Sequence, residues 1–150
     1  MKLFDVNVLL YAYHPESPRH PEARQWLESR INRREAFGLA ELVLSGFLRI
    51  VTHPRIFKHP IPTEKAIEEL ERLRQRPNCV IVRPGPRHYE IFTDLCLRAG
   101  ARGNLVADAY LAALAIEHGC QWVSHDRDFA RFPGLDWIDP GVKPGLPNKP

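Results

Sequence analysis

The chain opens Lys2-Leu3-Phe4-Asp5 and runs straight on into Val6-Asn7-Val8-Leu9-Leu10-Tyr11-Ala12-Tyr13. The apolar stretch alone fits either strand or helix by periodicity. The acid in front of it suggests the division: a short strand that ends near Asp5, then a helix. Working outward, the same alternation recurs along the chain. His20-Pro21-Glu22 reads as a helix start, because proline at a first helical position gives up no needed hydrogen bond and an acid suits the positive end of the dipole. Ala23, Trp26, Leu27 and Ile31 follow at helical spacing. Residues 36–39 form a candidate strand, and Glu41 opens a helix with Leu44, Leu48 and Val51 on its apolar side.

The segment from His53 to Pro62 carries Pro54, Pro60 and Pro62 and reads as a loop. Thr63 is expected to cap a helix that runs to about residue 76, with Ala66, Ile67, Leu70 and Leu73 as its stripe. Residues 79–82 are a strand. Residues 87–99 are a helix with Ile91, Phe92, Leu95 and Cys96 turned inward. A further helix runs over 104–118, closed by Gly119. Residues 121–124 are a strand ending at His125-Asp126, and 136–138 a last short one. Strands alternating with amphipathic helices predict an α/β fold: a central parallel sheet with helices on both faces. Ligands of such sheets bind beyond the carboxyl ends of the strands.

Hydrophobic residues make up 44% and charged residues 26% of the 150, enough apolar material for one core and one domain. The domain is expected to span 1–139, with 140–150 a disordered tail of proline, glycine and lysine. No apolar run approaches the roughly 18 residues of a membrane span. Asp5 interrupts the only stretch that could mimic a signal peptide, so a cytoplasmic, membrane-free protein is expected. Cys79, Cys96 and Cys120 sit among apolar residues and read as small buried hydrophobes in a reducing compartment. The net charge of +3 is too small to establish a nucleic-acid partner. The positive charge is mostly arginine, however, which grips phosphate with a planar fork.

Four acids carry the chemical signal. Asp5 and Asp126 each end an apolar strand, where the open-sheet rule places ligand groups, although aspartate there also serves as a helix cap. Asp108 shares its helical stripe with Asn104, Leu105, Leu111, Ala112 and Ala115, all apolar but Asn104, so its carboxylate is directed at the core. Glu41 is expected on the buried side with Leu44 and Leu48. A buried unpaired charge is costly, and neighbouring carboxylates repel. A divalent cation resolves both problems, and an all-oxygen set suits Mg²⁺ or Mn²⁺. Such sites serve phosphoryl transfer. Among the aromatics, Trp26, Trp122 and Trp137 read as core, whereas Tyr11, Tyr13 and Phe57 could lie near a rim and stack on bases. His125 reads as a surface histidine.

In these positions the chain resembles PIN domains, and more narrowly the VapC-type toxins of bacterial toxin–antitoxin pairs. The matching segments are Phe4 to Ala12, Glu41 after a strand, Gly103-Asn104-Leu105-Val106-Ala107-Asp108-Ala109, and Ser124-His125-Asp126-Arg127-Asp128-Phe129. Together they span about residues 2–139. The resemblance implies a three-layer PIN-like fold and Mg²⁺-dependent cleavage of RNA. It also implies a small antitoxin that blocks the site, and homodimerisation. By motif, Asp5, Glu41, Asp108 and Asp126 become the catalytic cluster. Asp5 and Asp108 become the direct metal ligands, while Glu41 and Asp126 complete the shell, bind a second ion or orient water. Asn7 and Ser124 would hydrogen-bond behind the ligands. Asp128 would share the metal role or cap the turn, the cap being favoured. Val6 stands where relatives often have threonine.

Two other readings stay open. A degenerate PIN-like scaffold would bind RNA or protein without cutting, although such domains tend to lose acids that this chain keeps. A haloacid-dehalogenase-like phosphatase also begins with a strand-end aspartate, but it wants a second aspartate where Asn7 stands.

Overall fold

The computed structural model describes residues 1–141; most of the tail expected over 140–150 lies outside the described residues. Five strands form one wholly parallel sheet in the order β3-β2-β1-β4-β5. They are β1 (Lys2–Phe4), β2 (Phe37–Ala40), β3 (Cys79–Val82), β4 (Gln121–Val123) and β5 (Trp137–Ile138). The flanking helices are α1 (Val6–Tyr13), α2 (His20–Ile31), α3 (Glu41–Val51), α4 (Thr63–Arg74), α5 (His88–Ala99) and α6 (Asn104–Glu117). α1 packs on α2 and α3, α3 on α4, and α5 on α6. This is the α/β sandwich expected from the alternation of strands and helices.

Register decides where the chemistry can sit. Ala40 pairs with Val82, Phe4 with Val123, and Val123 with Ile138. The residues just past the strands are therefore drawn into one row along the carboxyl edge: Arg83, Glu41, Asp5, Ser124 and Asp139. Strand order reverses between β1 and β4, the position where an open parallel sheet leaves a crevice. Asp5 and Ser124 stand at that reversal.

The core is built around fully buried Phe4, Leu39 and Trp122. Phe4 is stacked on Phe37 at 5.6 Å and meets Trp26 edge-on at 5.9 Å. On α6, Leu111 to Ala115 are buried without a break. Alanine makes this possible, because a helix of small side chains can approach its neighbours on more than one side. Gly103 starts α6 from φ 56° and ψ −127°, a conformation open in practice to glycine alone.

Several expectations are corrected. Thr63 is the first residue of α4 rather than its cap; Pro62 precedes it and no side chain caps the helix. Ile67 points outward and is 44% exposed, so the α4 stripe is Ala66, Leu70 and Leu73. Phe57 is buried and lies flat on His14, ring centres 3.6 Å apart, which removes it from any rim. Cys79 and Cys96 are only half-buried, and Cys120 alone is buried. The three tryptophans do pack as expected: Trp122 is fully buried, and Trp26 and Trp137 are half-buried against the core. A 3₁₀ turn over Arg127–Arg131 had no signal in the apolar pattern. Among the described residues no helix is long and apolar enough to cross a membrane.

Candidate active site

Asp5 is buried at the foot of α1. One carboxylate oxygen accepts the backbone N–H of Val6 at 2.6 Å, which caps the helix. The other accepts the Ser124 hydroxyl at 2.6 Å and the Asn7 amide at 3.1 Å. Ser124 Oγ itself accepts from the Asp126 N–H and from Asn7 Nδ2, both at 3.0 Å. Asn7 Oδ1 accepts the His125 N–H at 3.1 Å. Asn7 and Ser124 thus stitch the β1–α1 junction to the loop after β4. Burial nevertheless pushes the Asp5 carboxyl up to about 6, against these donors and with the charge of Asp126 adding to it.

Asp108, half-buried on α6, is also pushed up to about 6. Burial is the main cause, followed by the charges of Asp126, Asp5 and Asp128. Asp126 accepts the N–H of Asp128 at 2.8 Å and so caps the 3₁₀ turn. The cap is therefore Asp126 and not Asp128, which is exposed and lies 3.9 Å from Arg131. Asp5, Asp108 and Asp126 thus crowd one another electrostatically at the reversal point. Among the described residues no arginine or lysine pairs with any of them.

Glu41 departs from expectation. Its side chain is 58% exposed rather than turned to the core, and Arg83 Nη2 holds it at 2.6 Å. The cause is register: β2 and β3 are paired through Ala40 and Val82, so the next residue of each strand meets the other. Glu41 is not among the charges that raise Asp108.

The donor set is of the right kind for a hard divalent ion: all-oxygen and mutually repelling, with Asp5 buried, Asp108 half-buried and Asp126 exposed. Among the described residues, however, no three His, Cys, Asp or Glu side chains converge tightly enough to hold one.

Residues beyond the expected set border the site. The His125 ring is half-buried rather than fully exposed, and is stacked on Tyr11 at 4.9 Å with 24° between the planes. Its Nδ1 lies 3.1 Å from Asp139 Oδ1. Burial lowers the His125 pKa, outweighing the pull of Asp139 in the other direction. Asp139 and Arg83 each follow a strand by one residue. The rule that singled out Asp5 applies equally to both.

A family model described as the PIN domain matches residues 2–135. Ribonuclease VapC25 of Mycobacterium tuberculosis is 41% identical over 142 residues, 95% of this chain and 100% of that protein. The VapC ribonuclease Mb2897 of Mycobacterium bovis is 41% identical over 140 residues, 93% of this chain and 95% of its own length. Among solved structures, VapBC2 from Rickettsia felis bound to a promoter DNA fragment superposes with a TM-score of 0.66 at 18% identity, covering 92% of this chain and 97% of that one. VapC20 of Mycobacterium tuberculosis, described as a sarcin-ricin loop cleaving toxin, gives 0.61 at 16% identity over 90% and 98% of the two chains. At such identities the likeness concerns the fold.

Proposed function

The chain belongs to the PIN-domain family, and from that premise we propose that it is a metal-dependent endoribonuclease, the toxin of a toxin–antitoxin pair. The observation that carries this reading is the crowding of Asp5, Asp108 and Asp126 at the β1–β4 reversal with no basic side chain against them among the described residues. Acids that repel one another, with Asp5 kept buried and Asp108 half-buried, are suited to binding a cation. Asp5 and Asp108 would hold Mg²⁺ or Mn²⁺, with Asp126 and Glu41 completing the shell. Bound there, the ion would supply an activated water and charge to stabilise the attacked phosphodiester. The chain's own part is preorganisation. Ser124 and Asn7 fix the Asp5 carboxylate by hydrogen bonds, and α6 delivers Asp108 from a helix anchored in the core. The 3₁₀ turn fixes Asp126. A blocking antitoxin, a homodimeric assembly and cytoplasmic residence complete the proposal. The names of the similar ribonucleases and of the VapBC neighbour support its toxin part.

A second reading, a non-catalytic RNA- or protein-binding module, is favoured by one observation: no three donors converge. One experiment separates the two. Purified chain, free of partner, is incubated with total RNA under chelator, Mg²⁺ and Mn²⁺, beside Asp108→Asn. Cutting that needs metal and is lost in Asp108→Asn is expected. Cutting that survives both would sink the enzyme proposal, and RNA binding without cutting would promote the module.

A further inference from the structure

A cavity opens between α1, α2 and the turn that carries His125, the residue before Asp126. Tyr11, Arg19, Glu22, Trp26 and His125 line it, and Gly141 closes one side. We propose that this cavity is a nucleobase subsite, which takes an unstacked base next to the phosphate that is cut. The proposal rests on the ribonuclease reading and adds to it where the substrate is gripped.

Three independent observations carry it. The first is continuity with the site. Tyr11 lies one helical turn beyond Asn7, and His125 directly precedes Asp126 and donates its N–H to Asn7. A nucleotide seated in the cavity would therefore place its phosphate toward the acids. The second is the chemistry of the lining. The Tyr11–His125 stack and the Trp26 ring supply flat aromatic surface, while Arg19 and Glu22 add a donor and an acceptor to the lining. Proteins that read single-stranded RNA splay bases onto aromatic rings and bond their edges in this way.

The third is backbone strain. Arg19, at φ 53°, is the only non-glycine with positive φ among the described residues. Its side chain does not cap α2. Such a conformation is costly for a residue with a side chain, and it persists where the surroundings enforce it, often at binding sites. The neighbouring His20 ties α2 to the Tyr11 carbonyl at 2.9 Å. Arg19 Nη1 lies 3.2 Å from where a side chain on Gly141 would begin, so the guanidinium leans across the cavity mouth and a larger residue at 141 would crowd it.

Trp26 provides a direct readout. The full chain carrying Asp108→Asn, in chelator, is titrated with the four nucleoside monophosphates, with ribose 5-phosphate as the control lacking a base. Nucleotides are expected to quench tryptophan fluorescence and ribose 5-phosphate to leave it unchanged, with the response lost in Trp26→Phe. Arg19→Gly keeps the backbone shape without strain, so it should fold at least as well. It should nonetheless weaken nucleotide binding roughly tenfold, as Tyr11→Leu should by removing a stacking surface. With an RNA substrate, Tyr11→Leu should act on KM more than on kcat. No base-dependent quenching, with RNA still cut and KM unmoved in Tyr11→Leu, overturns the subsite while leaving the ribonuclease reading intact. Base-dependent quenching in a chain whose unmutated form cuts no RNA would sink the ribonuclease reading alone. Quenching by an added antitoxin but by no nucleotide assigns the cavity to the protein partner and overturns the proposal.

Discussion

Asp5 and Glu41 each follow a strand by one residue, and their strands are neighbours, yet the fold treats them in opposite ways. Asp5 is buried, held by Val6, Asn7 and Ser124, and faces other acids. Glu41 stands in solvent with an arginine of its own. The first arrangement stores repulsion that a cation would relieve. The second is already neutral, and an exposed ion pair of this kind is worth only about 0.2–1 kcal/mol. One end of the edge is therefore fixed and charged in advance. The other can open at little cost.

The largest effect expected from this contrast is on chemistry. Asp108→Asn should lower metal-dependent RNA cleavage by roughly a thousandfold, the loss of several kcal/mol of ion-derived stabilisation. Glu41→Gln should cost less, roughly ten- to a hundredfold, as for a residue that supports ligands rather than anchors the ion. A loss in Glu41→Gln as deep as in Asp108→Asn would break the contrast, and would mean that the Arg83 pair opens when the ion binds.

The next effect is on stability. Asp5 releases its proton near pH 6 when folded and near 3.8 when unfolded. Between those values the folded chain holds more protons, so in chelator its stability should fall as pH rises from about 4 to 6 and level off above. The decline is on the order of 3 kcal/mol for Asp5. Urea unfolding at pH 4 and pH 7 measures it, and added Mg²⁺ should restore stability at pH 7. A flat profile would show that Asp5 is not strained by burial.

Smaller again is the support behind Asp5. Ser124→Ala removes one donor to the carboxylate and leaves it less tightly fixed. Cleavage should drop roughly ten- to a hundredfold with the fold retained; unchanged kinetics would mean that Asn7 and Val6 suffice. The smallest effect belongs to the open end. Arg83→Ala frees Glu41 at the cost of one exposed ion pair. Mg²⁺ affinity, read by calorimetry, should tighten by about fivefold at most. Weaker binding would show that Arg83 positions Glu41 rather than restrains it.

Much of this could be read from the sequence because it is local. A strand that ends on an acid before a helix marks Asp5, and an acid on an apolar helical stripe marks Asp108. Glu41 followed the same logic and came out differently, because its partner lies 42 residues away and meets it only through the β2–β3 register. The 3₁₀ cap by Asp126, the burial of Phe57 on His14 and the Tyr11–His125 stack are likewise tertiary. No spacing within one element encodes them.

The row along the carboxyl edge also bears on how this protein can change. Each group in it is displayed by the length of one strand, not by the identity of the strand's residues. Core side chains can therefore be exchanged for others of similar size while the displayed groups stay where they are. A single residue inserted into or deleted from a strand is another matter. It would slide that group by about 3.3 Å and turn it to the opposite face of the sheet. Substitution should be cheap in these strands and indels close to lethal, so length variation is expected to collect in the loops on the far side of the helices.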